Sequence, residues 1–310
     1  MSLALQVLVT GLAAGGVYGL VAVGHSVIYR LTGIVHLAYG DLVGLGVFAT
    51  LLVAAGTGPV TQATADTGRF VVALAVGLAI CIAAGVGSYL FAVQPYLSRG
   101  STIGWVAAIV AVAFAIRAVL SAVFTRPSYV FPDPLPFRDL GHDGFVTLGG
   151  ASLQVRSFFV IAFAILLAAA GGWALEHTRV GRGLQAIASD AEGARIVGVP
   201  VDTLVALAFG LAGGLAAVAA IVAAPSGTVD VDTGALLGLK GLVAALVVRF
   251  GSPLQAMAAG LVLGVVEATI ANAHVGSLEL GPSYREVLPL AAVLLFVALR
   301  PQWEAVEELE

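Results

Sequence analysis

Charged side chains are scarce in this sequence. Aspartate, glutamate, lysine and arginine make up 10% of the 310 residues, whereas hydrophobic residues make up 60%. Soluble domains carry roughly 25% charged residues, so this chain has too few charges to cover a surface that faces water. The mean hydropathy of +1.04 agrees with that conclusion. The composition therefore predicts a protein that crosses a membrane several times.

Several chemical classes are excluded because the residues they need are missing. The single cysteine, Cys81, rules out a disulfide framework or a cysteine metal cluster. The formal net charge of -4 argues against a nucleic-acid partner. The sequence has no Gly-x-x-x-x-Gly-Lys-[Ser/Thr] loop, so this chain is not expected to bind ATP. No catalytic triad, cofactor motif or metal motif is evident, and we expect a non-catalytic chain without a cofactor or metal of its own.

Long apolar runs account for most of the chain, and a helix needs about 20 such residues to span a bilayer. Nine segments approach or exceed that length, at 3–29, 34–55, 70–93, 103–124, 157–175, 204–224, 235–248, 254–273 and 287–299. We therefore predict an all-α bundle of about eight to nine transmembrane helices in a single domain over residues 1–310. The seventh segment is short and carries Lys240, so we expect it to be tilted or broken.

Basic residues in short connections indicate the orientation, because they are enriched on the cytoplasmic side. Arginines accumulate on one predicted side, at positions 30, 99, 179, 182, 195, 249 and 300, whereas the short connections opposite keep only Arg69 and Arg285. We expect the N-terminus outside and the C-terminus inside, with the acidic tail 301–310 in the cytoplasm. The longer connection 125–156 then lies outside, and its segments 146–148 and 153–155 flank Gly149-Gly150 and predict a hairpin. That connection is either a structured cap or a docking surface for an extracytoplasmic partner.

Residues 181–200 differ from the rest because they are amphipathic. Leu184, Ile187, Ala188, Ala191 and Ala194 follow the i, i+3, i+4, i+7 spacing of one helix face, with polar residues opposite. Gly198 and Pro200 then end the helix. We expect one short cytoplasmic helix that offers a surface to a partner protein or to lipid headgroups. Its candidate coupling residues are Arg182, Asp190, Glu192, Arg195 and Gly198.

Polar residues within apolar segments form a second candidate site. A charge at the membrane centre costs roughly 2.5–3.5 kcal/mol, so each polar residue there is expected to have a structural or functional role. The first two segments carry Tyr18, His25, His36, Tyr39 and Asp41. Residues 18 and 25 are two helical turns apart and 36 and 39 one turn apart, so each pair can share a face. Together they predict a path for a small polar solute, and the alternative is that the tyrosines only pack between helices.

Two further charges lie in later segments, Lys240 in the seventh and Glu267 in the eighth. We predict that Lys240 forms an ion pair with Glu267 or with Asp41. Such a pair would hold helices in register or gate a polar path, and the sequence leaves both roles open. Arg117 lies late in the fourth segment, where a tilted helix would bring it to the outer face.

Gly-x-x-x-Gly pairs recur through the chain, at Gly11/Gly15, Gly15/Gly19, Gly40/Gly44, Gly210/Gly214, Gly234/Gly238 and Gly260/Gly264. Small residues let helices approach closely in lipid, where no hydrophobic force drives their association. The pairs predict a tightly packed bundle and no further function.

Three stretches of the chain, considered together, resemble a known family. They run through Gly33-Ile-Val-His-Leu-Ala-Tyr-Gly-Asp41, Gly198-Val-Pro-Val-Asp202, and Phe250-Gly-Ser-Pro253 with Gly260-Leu-Val-Leu-Gly-Val-Val-Glu267. In order and spacing they resemble permease subunits of the LivH type, which belong to ABC importers of branched-chain amino acids. The resemblance implies that 181–200 docks on two ATPase subunits, which bind ATP and Mg. It also implies a second, related permease chain, an extracytoplasmic binding protein and alternating access.

Two departures from the family pattern concern the solute. His36-Leu-Ala-Tyr39-Gly40-Asp41 stands where the family usually has Asn-Phe-Ala-His-Gly-Glu, and Val248-Arg249-Phe250 stands where a glycine pair usually precedes Gly-Ser. Relatives of this type also carry urea, short amides or aromatic acids, so those solutes stay open. Two other classes also stay open: a secondary transporter in which Asp41 and Glu267 carry protons, and a channel in which they form a selectivity ring.

Overall fold

The computed structural model describes residues 2–57, 67–97, 102–132, 144–148, 150–224, 228–272, 274–275, 278–279 and 291. The helices are α1 (Ser2–Thr32), α2 (Tyr39–Ala54), α3 (Thr67–Gly87), α4 (Gln94–Leu97), α5 (Thr102–Val123), α6 (Val155–His177), α7 (Arg179–Ser189), α8 (Ala191–Ile196), α9 (Val201–Ala223), α10 (Thr233–Val247) and α11 (Pro253–Ala271). A π-helical turn, Ser88–Val93, joins α3 to α4. The strands are β1 (Tyr129–Val130), β2 (Phe145–Leu148), β3 (Ala151–Gln154), β4 (Thr228–Val229), β5 (His274–Val275) and β6 (Leu278–Glu279).

The helices confirm an all-α polytopic membrane protein. Within the described ranges, six helical stretches are long and apolar enough to cross a membrane. The apolar helices α2 and α10 are shorter, at 16 and 15 residues. The first eight predicted segments each correspond to a helix, whereas the ninth, 287–299, and the tail 301–310 lie outside the described residues.

The second segment differs from expectation, and the seventh is continuous. The second becomes helical only at Tyr39, because Gly33 adopts a φ of +67° and ends α1 in a left-handed conformation that favours glycine. Residues 34–38 therefore form a non-helical link between α1 and α2. The seventh segment is not broken, because α10 is a continuous helix through Lys240, and its tilt stays a prediction. The π-helical turn in the third segment was not predicted.

Short antiparallel strand pairs form outside the helices. The predicted hairpin is confirmed: β2 pairs with β3, with Leu148 opposite Ala151 and Val146 opposite Leu153. In addition, β1 pairs with β4, which joins the chain after α5 to the chain after α9. The third pair is β5 with β6.

Glycine faces bring two pairs of helices into backbone contact. The glycines of α1 at positions 11, 15 and 19 lie against Gly260 and Gly264 of α11. Likewise Gly40 and Gly44 of α2 lie against Gly234 and Gly238 of α10. A methyl group added to Gly260 would overlap the backbone of Gly19. Five of the six predicted Gly-x-x-x-Gly pairs therefore pack glycine faces against one another, whereas Gly210/Gly214 of α9 packs against side chains of α3.

Replacing one of these glycines should loosen the bundle. Because the added methyl group of Gly260→Ala meets backbone that cannot rotate away, we expect a loss of about 1–3 kcal/mol of stability. The matched control is Gly172→Ala in α6, where an added methyl group meets no atom of the described chain within 4 Å. That change should be neutral or stabilise by about 0.5–1 kcal/mol. Thermal unfolding in detergent compares them, and equal stability would contradict the glycine contact.

Candidate functional site

A buried ion pair joins three helices in the interior. Lys240 Nζ of α10 lies 3.0 Å from Glu267 Oε1 of α11 and 3.2 Å from the hydroxyl of Tyr18 on α1. The ammonium also lies 5.1 Å from the centroid of the Tyr18 ring. The side chains of Lys240 and Glu267 are 9% and 3% exposed. Of the two carboxylates considered as partners of Lys240, Glu267 is the one that it contacts.

Asp41 pairs with Arg117 rather than with Lys240. It is buried in the first turn of α2, where a carboxylate also interacts favourably with the helix dipole. Its Oδ1 accepts a hydrogen bond from Arg117 Nε of α5. The Arg117 side chain is 40% exposed, so this pair lies at the edge of the bundle. Asp41 therefore pairs with Arg117, and of the two predicted alternatives for Lys240 the structure shows the pair with Glu267.

His25, His36 and Tyr39 form a buried cluster. The Tyr39 ring lies 4.6 Å from the His25 ring and 6.3 Å from the His36 ring, centroid to centroid. Tyr39 donates its hydroxyl hydrogen to the carbonyl of Ala212 on α9, at 2.7 Å. The non-helical link between α1 and α2 supplies His36, which is buried and whose ring lies 5.4 Å from that of Phe209 on α9, centroid to centroid.

The hydrogen bonds of the two histidines determine which ring nitrogen donates. His25 Nε2 lies 3.3 Å from the Gly238 carbonyl, which can only accept, so this nitrogen donates. Ser88 Oγ already donates to the Gly85 carbonyl at 2.7 Å, so His36 Nε2, 3.0 Å away, donates to Ser88. In neutral imidazoles both Nδ1 atoms are then acceptors, and within the described chain neither has a hydrogen-bond partner. The cluster can therefore accept hydrogen bonds from an N–H or O–H group.

The five predicted path residues separate into three groups. Tyr18 belongs to the Lys240–Glu267 pair, Asp41 belongs to the Arg117 pair, and only His25, His36 and Tyr39 contact one another. All five side chains are buried. Two cavities, of about 900 Å³ and 530 Å³, lie on either side of the end of α1, and none of the five lines them. Among the described residues no group of three or more His, Cys, Asp or Glu could hold a metal ion.

The amphipathic segment forms two helices rather than the single one expected. The chain breaks at Asp190, whose Oδ1 accepts hydrogen bonds from the backbone N–H groups of Glu192 and Gly193 at 3.1 and 2.9 Å. Asp190 is thus the N-cap of α8 and not a residue on a helix face. A capping aspartate satisfies helix donors but requires non-helical backbone, and this local preference overrides the longer periodicity.

Three of the five residues predicted to form the apolar face of this segment are buried. Leu184, Ile187 and Ala194 are buried, whereas Ala188, within α7, and Ala191, at the start of α8, are exposed. Gly198 has a φ of +88° and ends the segment in a left-handed turn. Most of the candidate coupling side chains are exposed, namely those of Arg182, Asp190, Glu192 and Arg195.

A salt bridge from α8 reaches Asp202, which also contacts the π-helical turn. Arg195 forms a salt bridge with Asp202 at the start of α9, at 3.2 Å, with both side chains more than half exposed. Asp202 also accepts a hydrogen bond from the hydroxyl of Tyr89 in the π-helical turn, at 3.2 Å. A displacement of α8 would therefore act on both α9 and the π-helical turn.

The sequence reasoning missed an exposed apolar pair. Ile196 is 81% exposed and Val197 is 78% exposed, immediately after Arg195. They fall outside the counted helix face, so the periodicity did not include them. Two adjacent β-branched residues near the end of an amphipathic segment could have indicated this pair.

Comparison with known proteins identifies the family. The family model described as branched-chain amino acid transport system / permease component matches residues 7–298. The chain belongs to this family. The permease is 27% identical over 309 residues to BraD of Pseudomonas aeruginosa, a high-affinity branched-chain amino acid transport system permease protein. LivH of Escherichia coli K12 and LivH of Salmonella typhimurium are each also 27% identical to it. All three alignments cover 96% of this chain and 94% of the relative.

The buried ion pair of this permease predicts how three variants should rank in stability. Lys240→Met leaves the Glu267 carboxylate buried without its cation, a loss of about 3–5 kcal/mol for a fully buried pair. Lys240→Met/Glu267→Gln removes both charges and should be more stable than the single change. The control is Lys240→Met/Asp41→Asn, which should give no rescue because Asp41 contacts Arg117. Unfolding midpoints measure this order, and rescue by Asp41→Asn instead would refute the assignment.

Proposed function

We propose that this chain is the membrane-spanning permease subunit of an ATP-driven importer. It works with two ATPase subunits, a second related permease and an extracytoplasmic binding protein, and it moves its solute by alternating access. ATP and Mg²⁺ bind to the ATPases and not to this chain. The N-terminus lies outside and the C-terminus inside the plasma membrane of a prokaryotic cell.

The observation that carries this proposal is the exposed apolar pair Ile196–Val197. Both lie beside the exposed charges of Glu192 and Arg195, so they face water rather than lipid. Large exposed apolar side chains rimmed by polar residues mark a surface that another protein covers. The chain lacks a phosphate-binding loop, so the energy for transport comes from the partner that covers this surface. We assign that partner as the ATPase.

The solute is proposed to be a branched-chain amino acid, as the names of the relatives suggest. The Nδ1 acceptors of His25 and His36, which have no hydrogen-bond partner within the described residues, support a solute that donates N–H groups, as an amino group does. Urea and short amides also donate N–H groups and remain the alternative. A proton-coupled transporter is less well supported, because Asp41 and Glu267 each contact a basic side chain.

Charge reversal on α8 should uncouple ATP hydrolysis from transport. Glu192 is exposed next to the apolar pair, so Glu192→Lys should leave membrane insertion intact while it disturbs the docked ATPase. In proteoliposomes of the complete complex, we expect solute-stimulated ATP hydrolysis and leucine uptake to fall about fivefold or more. The matched control is Glu176→Lys at the exposed end of α6, which should retain both activities. A Glu192→Lys complex that assembles and transports normally would exclude the assignment.

The solute path is tested by single cysteines in a Cys81→Ala background. Cysteine replaces, one at a time, Tyr18, His25, His36, Tyr39 and Asp41. A water-soluble thiol reagent should label those that line the path. The labelling should change with ATP, because alternating access opens the path first to one side of the membrane and then to the other. Phe48→Cys, buried in the apolar core, should stay unlabelled. If all five stay unreactive in every state, the path lies elsewhere.

A further inference from the structure

The larger cavity has an unusual distribution of charge. It measures about 900 Å³ and lies between the end of α1, the α7 helix and the turn between α10 and α11. Its polar lining is Arg30, Arg249, Gln185, Ser189, Ser26, Ser252 and Gln255. Two of these side chains are cationic, and no acidic residue is among the described residues that line the cavity. A cavity with this lining attracts anions.

The backbone of the turn positions one of the arginines. Arg249 and Phe250 both have a φ of 53°, a left-handed conformation that disfavours side chains other than glycine. The Phe250 ring is buried and stacks on Tyr29, with ring centroids 3.9 Å apart and planes 19° apart. This stack holds the turn in its strained form, and Arg249 is exposed at the cavity. Strain of this kind is commonest at ligand-binding sites.

A third group at the cavity is a buried hydroxyl. Ser26 is 1% exposed, and its Oγ has no hydrogen-bond partner within the described chain. Ser26 lines the same cavity one helical turn before Arg30. Two guanidinium groups and a hydroxyl can together bind an anion with several oxygens, because each guanidinium presents a fork of N–H donors.

The position of the cavity along α1 indicates how deep it lies in the membrane. At about 1.5 Å per residue, the 31 residues of α1 extend about 46 Å, whereas the hydrocarbon core is about 30 Å thick. With the hydrocarbon core placed over the apolar part of α1, Arg30, two residues before the end of the helix, falls at the level of the headgroups. Tyr29 fits that level, where tyrosine and tryptophan are enriched. The anion most abundant at this depth is the lipid phosphate.

We propose that this cavity binds the phosphate headgroup of an anionic phospholipid. The guanidinium groups of Arg30 and Arg249 supply positive charge and N–H donors at the phosphate, and Ser26 donates a hydrogen bond deeper in the cavity. Basic pockets between helices at a membrane surface are suited to this chemistry. Because Leu184, Gln185 and Ile187 of α7 line the same cavity, the lipid would also contact the segment that carries the exposed charges of Arg182 and Glu192.

The test uses the intact chain in nanodiscs that contain phosphatidylglycerol and phosphatidylcholine, followed by native mass spectrometry of the lipids retained. Arg30→Gln/Arg249→Gln should retain about tenfold less phosphatidylglycerol than the wild type, since each arginine near the surface contributes to binding. The control with the same loss of charge is Arg69→Gln/Arg179→Gln, exposed arginines outside the cavity, which should retain it. Arg30→Lys/Arg249→Lys keeps the charges and should retain an intermediate amount.

A second measurement separates the sources of the anion and does not depend on the arginine variants. In Ser26→Cys/Cys81→Ala, vesicles with phosphatidylglycerol should slow the reaction of the cysteine with a thiol reagent, relative to vesicles of phosphatidylcholine alone. Protection by inorganic phosphate alone would show a soluble anion and overturn the lipid assignment. Protection only in the presence of the ATPase subunits would assign the cavity to a protein contact instead. Equal lipid loss in both arginine double variants would overturn the proposal as well.

Discussion

Close backbone contact between glycine faces supports the rest of this structure. In lipid no hydrophobic force drives helices together, so association depends on how closely their backbones approach. Gly260 and Gly264 of α11 meet the glycines of α1, and Gly234 and Gly238 of α10 meet those of α2. Lys240 of α10 and Glu267 of α11 form their ion pair beside Tyr18 of α1. The ion pair thus joins the same two helices whose glycines contact α1 and α2.

The polar interior combines satisfied charges with unsatisfied acceptors. Asp41 and Glu267 each have a cationic partner, so neither leaves a bare charge in the bundle. His25 and His36 differ, since each uses one ring nitrogen and leaves the other without a partner in the described chain. An unpaired buried acceptor costs free energy, which a solute or water with donor groups can offset. This contrast distinguishes a structural set of polar residues from a candidate path.

The segment between α6 and α9 joins the helical bundle to an exposed surface. Its apolar side chains Leu184 and Ile187 anchor α7 to the bundle, while Ile196 and Val197 stay exposed at the end of α8. Asp202 connects this end to Tyr89 in the π-helical turn, and Ser88 in the same turn contacts His36. A continuous set of contacts thus extends from the exposed surface to the histidine cluster. The two cavities flank the same region, with Leu31 and Ile187 common to both.

The sequence by itself determined the features that depend on local composition and spacing. Apolar length predicted the first eight helices, and the pattern at 146–155 predicted the hairpin. Tertiary structure alone decided which charges pair, because Asp41 and Arg117 are 76 residues apart and their distance depends on how α2 and α5 pack. It likewise brought His36 to Ser88, 52 residues away. The break at Asp190 is local, but a cap and a helical period compete there, and periodicity does not measure the strength of a cap.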